Sequence, residues 1–245
     1  MVIHNKIQGI ERNGNDIIAG SGILIKDLLD FCIENSLTGL EWAGGLPGTL
    51  GGAVRGNAGA FKGEIKDSVA QVQSLNLKTQ NQTTRNNAKC EFAYRNSVFK
   101  SGEGKDEFIT SVVLSLKSGD SVKIQKSIAE KIDYRNLKHP MEYPNIGSTF
   151  KNIPADVLSE KQRVEFNAFI KTDPFALVPT TKLLALAGLK GIKTGGAMIS
   201  DKHPNFIVNI DNATSQDVKG LIQIAEQTIK NKYGIILEKE IMFLE

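Results

Sequence analysis

The 245-residue chain is poor in the residues that build disulfide frameworks and metal sites. Its two cysteines, Cys32 and Cys90, lie far apart in dissimilar contexts. They would allow one disulfide, but two reduced thiols, as is usual in cytosolic proteins, are the preferred interpretation. The three histidines, His4, His139 and His203, have no cysteine or carboxylate at ligand spacing. The sequence therefore predicts no metal site.

Long apolar runs and a strong net charge are also missing. The first 16 residues, MVIHNKIQGIERNGND, contain no apolar stretch long enough for a signal peptide. Pro179, Lys182 and Lys190 interrupt the most apolar later stretch, so no membrane span is predicted. A net charge of +3 is too small to argue for nucleic acid, but it is compatible with local basic sites for an anionic small molecule.

The first half of the chain predicts mainly strands. The length suits one large domain or two modest ones. Apolar alternation and β-branched residues predict strands over 2–7, 16–22, 68–77 and 107–116. A helix is expected over 24–35, and the polar stretch KTQNQTTRNNAKC reads as a loop.

The second half predicts helices and a final strand. After a boundary near 117–120 we expect a helix over 121–137, with four apolar residues facing inward: Val122, Ile124, Ile128 and Ile132. An irregular segment follows, and then a helix that stops on Gly188. Thr214 and Asp217 resemble a capping box for the last helix, which Gly234 ends. A strand over 235–244 closes the chain, and the mixture indicates an α+β fold.

A glycine-rich stretch, AGGLPGTLGGAVRGNAGAFKGE, has eight glycines among 22 residues (43–64). Glycine disfavours helices and strands. The stretch lacks the Gly-Lys-Ser/Thr end of a Walker loop, and it lacks a dinucleotide fingerprint in its usual strand-to-helix setting. Free backbone N–H groups could line a pyrophosphate or a flat ring, with Pro47 stiffening one turn. A structural turn cluster and a ligand cradle both remain open.

Three further residues attract attention. Arg95, among aromatic residues in EFAYRNSVFK, needs either a carboxylate partner or an anionic ligand. Ser148, in YPNIGSTFKNIP, lacks the surroundings of a hydrolase nucleophile, and from the residues alone it is better read as a turn cap than as a proton donor. Glu240, in the final strand, is either on the wet face or a half-buried acid with a raised pKa, and spacing favours the wet face.

The order of these motifs resembles a known family. The chain reads GLEWAGGLPGTLGGAVRGNAGAFKGEIKDSV, YRNSVFK, EYPNIGSTFKN, AGLKGIKTGGAMISDKHPNFIVN and LEKEI, in that order. This series resembles the UDP-N-acetylenolpyruvoylglucosamine reductases, also called UDP-N-acetylmuramate dehydrogenases. The resemblance implies an FAD-binding domain of the PCMH/vanillyl-alcohol-oxidase type over residues 1–119 and a smaller α+β substrate-binding domain over 120–245. A stretch around 155–174 looks like an insertion.

The resemblance also implies a chemistry. NADPH reduces bound FAD, which passes hydride to UDP-N-acetylglucosamine enolpyruvate in cytoplasmic peptidoglycan precursor synthesis. By motif match Ser148 would be the proton donor, while Arg95 and Glu240 would polarise the substrate and stabilise the enolate-like state. The implied cofactor-binding residues are Gly44, Pro47, Gly48, Thr49, Gly51, Gly52, Asn57 and Gly59. The implied substrate-binding residues are Arg135, Lys138, Asn152 and His203.

One departure from the family affects these expectations. Family members ordinarily begin with an additional lobe that carries a GGGSN-like loop for the FAD pyrophosphate, and this lobe is absent from the sequence. We therefore expect an amino-terminally truncated FAD domain in a monomeric reductase. A flavin-free UDP-sugar-binding module, or an inactive fragment of the enzyme, is the alternative. Titration with FAD would discriminate between them.

Overall fold

Two compact units make up the chain, Met1–Tyr134 and Arg135–Glu245. The computed structural model describes residues 5–244. Each unit combines helices with an antiparallel sheet and has its own hydrophobic core, which confirms the α+β class. The predicted division after residue 119 stays a prediction, because the helix Ser121–Lys138 extends past Tyr134 and belongs to both units.

The first unit is rich in strands. Its strands are β1 (Ile10–Asn13), β2 (Asp16–Gly20), β3 (Leu37–Thr38), β4 (Gly59–Ala60), β5 (Gly63–Glu64), β6 (Val69–Asn76), β7 (Gln82–Asn86), β8 (Glu107–Ser115) and β9 (Lys117–Ser118). Its helices are α1 (Ile25–Glu34), α2 (Leu50–Arg55), α3 (Val98–Ser101) and α4 (Ser121–Lys138).

A five-stranded antiparallel sheet, in the order β1-β2-β8-β6-β7, organises this unit. Ile17 of β2, Val72 of β6 and Val112 of β8 are fully buried in the same core as apolar residues of α1 and α2. Cys32 and Cys90 are free and buried in the same core. Burial raises the pKa of Cys32 to about 12 and that of Cys90 to about 11, so both are protonated thiols at neutral pH.

Several predictions for this unit need correction. The stretch predicted as a polar loop contains β7, because Arg85 turns inward and pairs with Glu107 instead of facing water. In α4, Ile124 and Ile128 are buried as predicted, but Val122 and Ile132 are exposed. The strand expected over 2–7 falls partly outside the described residues, and its remainder, 5–7, is irregular. The strands over 16–22, 68–77 and 107–116 and the helix over 24–35 are confirmed.

The second unit is smaller. Its strands are β10 (Asn145–Ser148), β11 (Ile153–Pro154), β12 (Leu177–Val178), β13 (Lys193–Thr194), β14 (Ala197–Ile199) and β15 (Phe206–Asn209). Its helices are α5 (Glu160–Phe166), α6 (Thr180–Leu186) and α7 (Ser215–Tyr233). A four-stranded antiparallel sheet has the order β10-β15-β14-β13 and shares one apolar core with α7.

Helix α7 follows its sequence signals closely. Thr214 and Asp217 form the predicted capping box, and the helix ends at Gly234, which has a φ of +68°. Helical spacing predicts an inward stripe of five residues: Val218, Leu221, Ile222, Ala225 and Ile229. The last four are buried, and Val218 is half-buried. These signals are local, so a single sequence suffices to find them.

The final strand is a wrong prediction. Residues 235–244 form an isolated bridge between Phe150 and Lys239 but no regular strand among the described residues. Ile235 and Leu237 are buried, as strand-like alternation requires, whereas Ile236 is exposed. The segment is extended but lacks a continuous partner strand, which its sequence pattern does not reveal.

Candidate functional site

The glycine-rich segment contains a short helix, α2, despite its composition. The side chain of Thr49 caps the helix by accepting a hydrogen bond from Gly52 N at 3.3 Å. The N–H of Leu50 donates to Ile23 O at 2.9 Å, and that of Gly51 donates to Ser21 O at 2.8 Å. The N–H groups of residues 50–52 are therefore engaged within the first unit and are not free to line a ligand.

Three of the implied cofactor-binding glycines are required by the protein itself. A Cβ atom at Gly44 would lie 2.6 Å from the carbonyl oxygen of Ile128. A Cβ at Gly51 would lie 2.9 Å from the Cβ of Ser21, and a Cβ at Gly59 would lie 2.7 Å from the Cγ of Glu64. Backbone and side chains of the same unit approach these positions closely, so a structural explanation holds for them.

Four other implied cofactor-binding residues form an open backbone surface. We call it the glycine surface and define it as Pro47, Gly48, Thr49 and Gly52. Pro47, Gly48 and Gly52 are exposed, and Thr49 is half-buried. A Cβ at Gly48, which has a φ of +99°, would meet nothing within 4 Å. One at Gly52 would meet the Thr49 Oγ1 at 3.5 Å. A planar ligand could therefore lie directly on the main chain here, and FAD fits this surface.

Asn57 has a different position from these exposed residues. It is fully buried and has a φ of +42°. Its Nδ2 donates to Ala93 O at 3.0 Å and to Glu64 Oε1 at 3.3 Å, and its Oδ1 accepts from Lys66 N at 3.3 Å. Its amide group thus holds the end of the glycine-rich segment in place, and direct cofactor binding by Asn57 stays a prediction.

Arg95 lies beside the same segment. It is half-buried, and its Nη2 donates to Gly59 O at 2.8 Å. Its guanidinium carbon is 5.2 Å from the centre of the Tyr94 ring, within cation–π distance. The positive φ of +54° at Arg95 is uncommon for a residue with a long side chain. The structure thus brings Arg95 to one of the implied cofactor-binding residues.

In the second unit, the structure brings Ser148 and Glu240 together through the main chain. Ser148 ends β10, paired with Phe206, and the next residue, Thr149, accepts a hydrogen bond from Glu240 N at 2.9 Å. Lys151 N also donates to Glu238 O at 2.8 Å, so the two motifs run side by side. This local pairing positions Glu240, which is half-buried rather than fully exposed.

The surroundings of Ser148 leave its hydroxyl accessible. Gly147, with a φ of +80°, has open space where a Cβ would be, and Ser148 itself is half-buried. Its hydroxyl makes no hydrogen bond to another residue in the described range 5–244, so it does not cap a turn there. An unengaged hydroxyl next to open space can donate a proton to a bound molecule.

Asn152 and Asn205 support this segment. The Oδ1 of Asn152 accepts from Thr180 N at 3.1 Å at the start of α6. The amide of Asn205 holds Phe150 at both ends, accepting from its N at 3.0 Å and donating to its O at 2.8 Å. Sequence reasoning missed Asn205, although it lies within the motif KHPNFIVN. The implied substrate contact of Asn152 stays a prediction.

A cluster of basic and aromatic residues surrounds His203. Its ring centre lies 5.2 Å from that of His139 and 4.8 Å from that of Phe206. Burial, together with the charges of His139 and Lys171, lowers the pKa of His203 to about 4. Burial and the nearby charges of Arg135 and Lys202 lower the pKa of His139 as well. His203 is therefore a neutral ring at pH 7.

The implied substrate-binding residues do not all lie in this cluster. Arg135 precedes His139 by one helical turn, and His139 N donates to Arg135 O at 2.8 Å. Lys202 Nζ donates to Asn136 O at 2.8 Å and pairs with Glu142 at 3.3 Å. The structure therefore groups Arg135 with His203, whereas Lys138 is exposed at the end of α4.

Comparison with known proteins identifies this arrangement. A profile of the FAD binding domain matches residues 1–85, and a profile of the UDP-N-acetylenolpyruvoylglucosamine reductase C-terminal domain matches 139–244. The Geobacillus kaustophilus reductase of that name is 35% identical over 235 residues, which cover 96% of this chain and 69% of the relative. The chain belongs to the UDP-N-acetylenolpyruvoylglucosamine reductase family. The Geobacillus thermodenitrificans reductase, 37% identical with the same coverage, agrees.

A solved structure supports the same family. The UDP-N-acetylenolpyruvylglucosamine reductase (MurB) from Thermus caldophilus has a TM-score of 0.70 and 28% identity to this chain. The match covers 92% of this chain and 71% of that one. The predicted membership in an FAD-dependent oxidoreductase family is thus confirmed.

Residues 5–244 contain no group of three or more histidine, cysteine, aspartate or glutamate side chains that could bind a metal ion. Within the part of the chain that the structure describes, no helix has both the length and the apolar character to cross a bilayer.

Proposed function

We propose that this chain binds FAD and reduces UDP-N-acetylglucosamine enolpyruvate to UDP-N-acetylmuramate, with NADPH as the source of electrons, in cytoplasmic peptidoglycan precursor synthesis. Similarity to reductases of that name over nearly the whole chain supports the reaction. The observation that supports the proposal most is the backbone pairing of the Ser148 and Glu240 motifs, in which Glu240 N donates to Thr149 O.

The glycine surface is the proposed flavin contact. Pro47, Gly48 and Gly52 are exposed, and the absence of side chains at the two glycines lets a planar ring approach the main chain. When bound, FAD would supply the hydride chemistry. Gly44, Gly51, Asn57 and Gly59 would act indirectly, by allowing or holding the fold of the segment that presents this surface.

Ser148 is the proposed proton donor. Its hydroxyl would protonate the carbon next to the one that receives hydride, and the open space at Gly147 would admit the enolpyruvyl group. Glu240 would stabilise the developing negative charge as a hydrogen-bonded acid, and Arg95 would bind the substrate carboxylate as a cation. Such groups lower the barrier because they interact more strongly with the charged transition state than with the substrate.

Arg135, Lys138, Asn152 and His203 are the proposed nucleotide-binding residues. Arg135 and Lys138 carry positive charge suited to a diphosphate. His203 would contribute as a neutral ring, because burial keeps its pKa at about 4. We also propose that the enzyme acts as a monomer.

The test compares the chain with its Ser148→Ala variant. The purified protein is titrated with FAD, following flavin absorbance and the fluorescence of Trp42, the single tryptophan. NADPH is then added anaerobically, followed by UDP-N-acetylglucosamine enolpyruvate. We expect the variant to bind FAD and react with NADPH normally, but to be reoxidised by the UDP-sugar about 10²- to 10⁴-fold more slowly, since a general acid contributes that much.

The outcomes separate the proposal from its alternative. A folded chain that binds the UDP-sugar but leaves FAD free would be the flavin-free binding module, and the proposal would be wrong. Equal reoxidation rates in the two proteins would remove Ser148 from its proposed role. Thr149→Ala is a control for local packing, because Thr149 is buried next to Ser148 and its Oγ1 makes no hydrogen bond among the described residues.

A further inference from the structure

The stretch over 155–174, the insertion that the resemblance predicts, contains helix α5 and belongs to the second unit. Helix α5 begins with a capping box in which Gln162 N donates to Ser159 Oγ at 3.3 Å and Ser159 N donates to Gln162 Oε1 at 2.8 Å. Leu158 and Phe166 are buried in the core of this unit. The Phe166 ring packs edge-on against Tyr233, with 5.2 Å between ring centres. The insertion therefore packs against the end of α7.

Gln162 joins the insertion to the point where α7 ends. Its Nε2 donates to Tyr233 O at 2.7 Å, while its Oε1 serves the α5 cap. The last carbonyl groups of a helix have no partner within the helix, so an external donor at Tyr233 satisfies one of them. A Cβ at Gly234, where the backbone turns with a φ of +68°, would lie 3.9 Å from this Nε2.

The segment that leaves this turn carries Glu240. Ile235 and Leu237 are buried. The segment then pairs with the Ser148 motif through Lys151 N to Glu238 O and Glu240 N to Thr149 O. The segment leaves α7 at the Gly234 turn, six residues before Glu240. It therefore runs between two fixed points, the turn at one end and the backbone pairing with residues 149–151 at the other.

Other contacts along this path are weaker candidates for fixing its direction. Lys239 pairs with Glu226 at 2.6 Å, and Lys151 pairs with Glu238, whose side chain is 71% exposed. Exposed or half-exposed ion pairs of this kind contribute little to stability. The Gln162 bond is half-buried, and it acts at the turn itself.

We propose that Gln162 is a positioning residue for Glu240: the inserted helix α5 holds the α7 end and thereby sets the path of the segment that presents this acid. The inference rests on the proposed function only for the role of Glu240. The placement of the segment is a separate claim, and it can be measured without cofactor or substrate.

Two substitutions isolate the contact. Gln162→Glu keeps the acceptor for Ser159 N but loses the donor and puts a negative charge at the carboxyl end of α7, where it is unfavourable. Gln162→Lys restores a donor, and a cation is favoured at this helix end, but it loses the acceptor for Ser159 N. The pair therefore separates the donor of Gln162 from its acceptor. Val164→Ala, on the same helix but 75% exposed, is the matched control.

The first measurement is hydrogen–deuterium exchange of peptides covering 235–244 in the protein without cofactor. We expect Gln162→Glu to speed exchange of the Glu240 amide about 10-fold, as local opening becomes easier. Gln162→Lys is expected to recover most of the protection, and Val164→Ala should resemble the parent. Unchanged exchange in Gln162→Glu, or an equal change in Val164→Ala, would overturn the proposal.

The second measurement separates the two half-reactions. Reoxidation by the UDP-sugar should slow about 5- to 20-fold in Gln162→Glu, because misplacing a catalytic group by a fraction of an ångström weakens transition-state stabilisation. Reduction by NADPH should keep its rate, and Gln162→Lys should restore reoxidation. A parent protein without reoxidation activity would contradict the proposed function alone, whereas equal slowing of both half-reactions would contradict the role of Gln162.

Discussion

Two adjacent glycines in α2 should respond in opposite ways to the same substitution. Gly51 is buried, and its Cβ would lie 2.9 Å from the Cβ and 3.0 Å from the carbonyl oxygen of Ser21. Gly52 is exposed, and its Cβ would meet only the Thr49 Oγ1, at 3.5 Å. Both occupy the same short helix, so alanine brings the same gain in helix propensity at each position.

The magnitudes follow from these distances. Alanine in place of glycine favours a helix by about 1 kcal/mol. At Gly52 nothing opposes this gain, so we expect the free energy of unfolding to rise by about 0.5–1 kcal/mol. At Gly51 overpacking costs about 1–3 kcal/mol, and more where backbone must move. We therefore expect Gly51→Ala to lower the free energy of unfolding by about 1–2 kcal/mol.

For FAD affinity we expect the opposite ranking: the stabilised Gly52→Ala variant should lose affinity, and the destabilised Gly51→Ala variant should keep it. Because Gly52 belongs to the glycine surface, its new methyl group would separate a planar ring from the main chain. We expect the stabilised Gly52→Ala variant to bind FAD about 10-fold more weakly, a loss of ~1.4 kcal/mol. Gly51→Ala should bind FAD nearly normally where it is folded.

Urea unfolding and flavin titration of the three proteins provide the assay. Equal stability of the two variants would refute the close approach of Ser21. Unchanged FAD affinity in Gly52→Ala would show that the flavin does not contact this surface.

Two further predictions concern stability. Arg85 and Glu107 form a nearly buried ion pair, with Arg85 Nη2 2.9 Å from Glu107 Oε1. Glu107→Gln should therefore lower the free energy of unfolding by about 3 kcal/mol in urea titrations. Glu103, the other partner of Arg85, is exposed, so Glu103→Gln should change it little. Burial lowers the pKa of His203 to about 4, below the value of about 6.5 expected in the unfolded chain. The neutral His203 ring therefore contributes fully to the free energy of unfolding above about pH 6.5, and this contribution, up to about 3 kcal/mol, is lost as the pH falls towards about 4. In His203→Gln the free energy of unfolding should depend less on pH between about 6.5 and 4.

Local signals explain what the sequence could predict. The residues that form the α7 capping box and the Gly234 stop lie within a few positions of each helix end, and β6 and β8 are long runs rich in β-branched residues. The residues of the candidate site could likewise be predicted from the sequence, because their motifs occur in a recognisable order. The pairing of the Ser148 motif with the Glu240 segment could not, because it depends on contacts between residues 87 and 91 positions apart.

The errors have physical causes. Strand β7 was hidden because its inward residue, Arg85, is charged, and a hydrophobicity pattern does not include an arginine whose carboxylate partner lies on another strand. Helix α2 was hidden because its two glycines are unfavourable locally, and one of them, Gly51, is required by the close approach of Ser21. Both cases show tertiary contacts overriding local preference.

The attachment of Glu240 through its own backbone has a consequence for how this position can change. The hydrogen bond from Glu240 N to Thr149 O uses no side-chain atom, so any residue other than proline can make it. This one contact therefore survives any substitution at position 240 except proline. A variant with an amide, a thiol or a phenol there still has the backbone hydrogen bond that joins the two motifs.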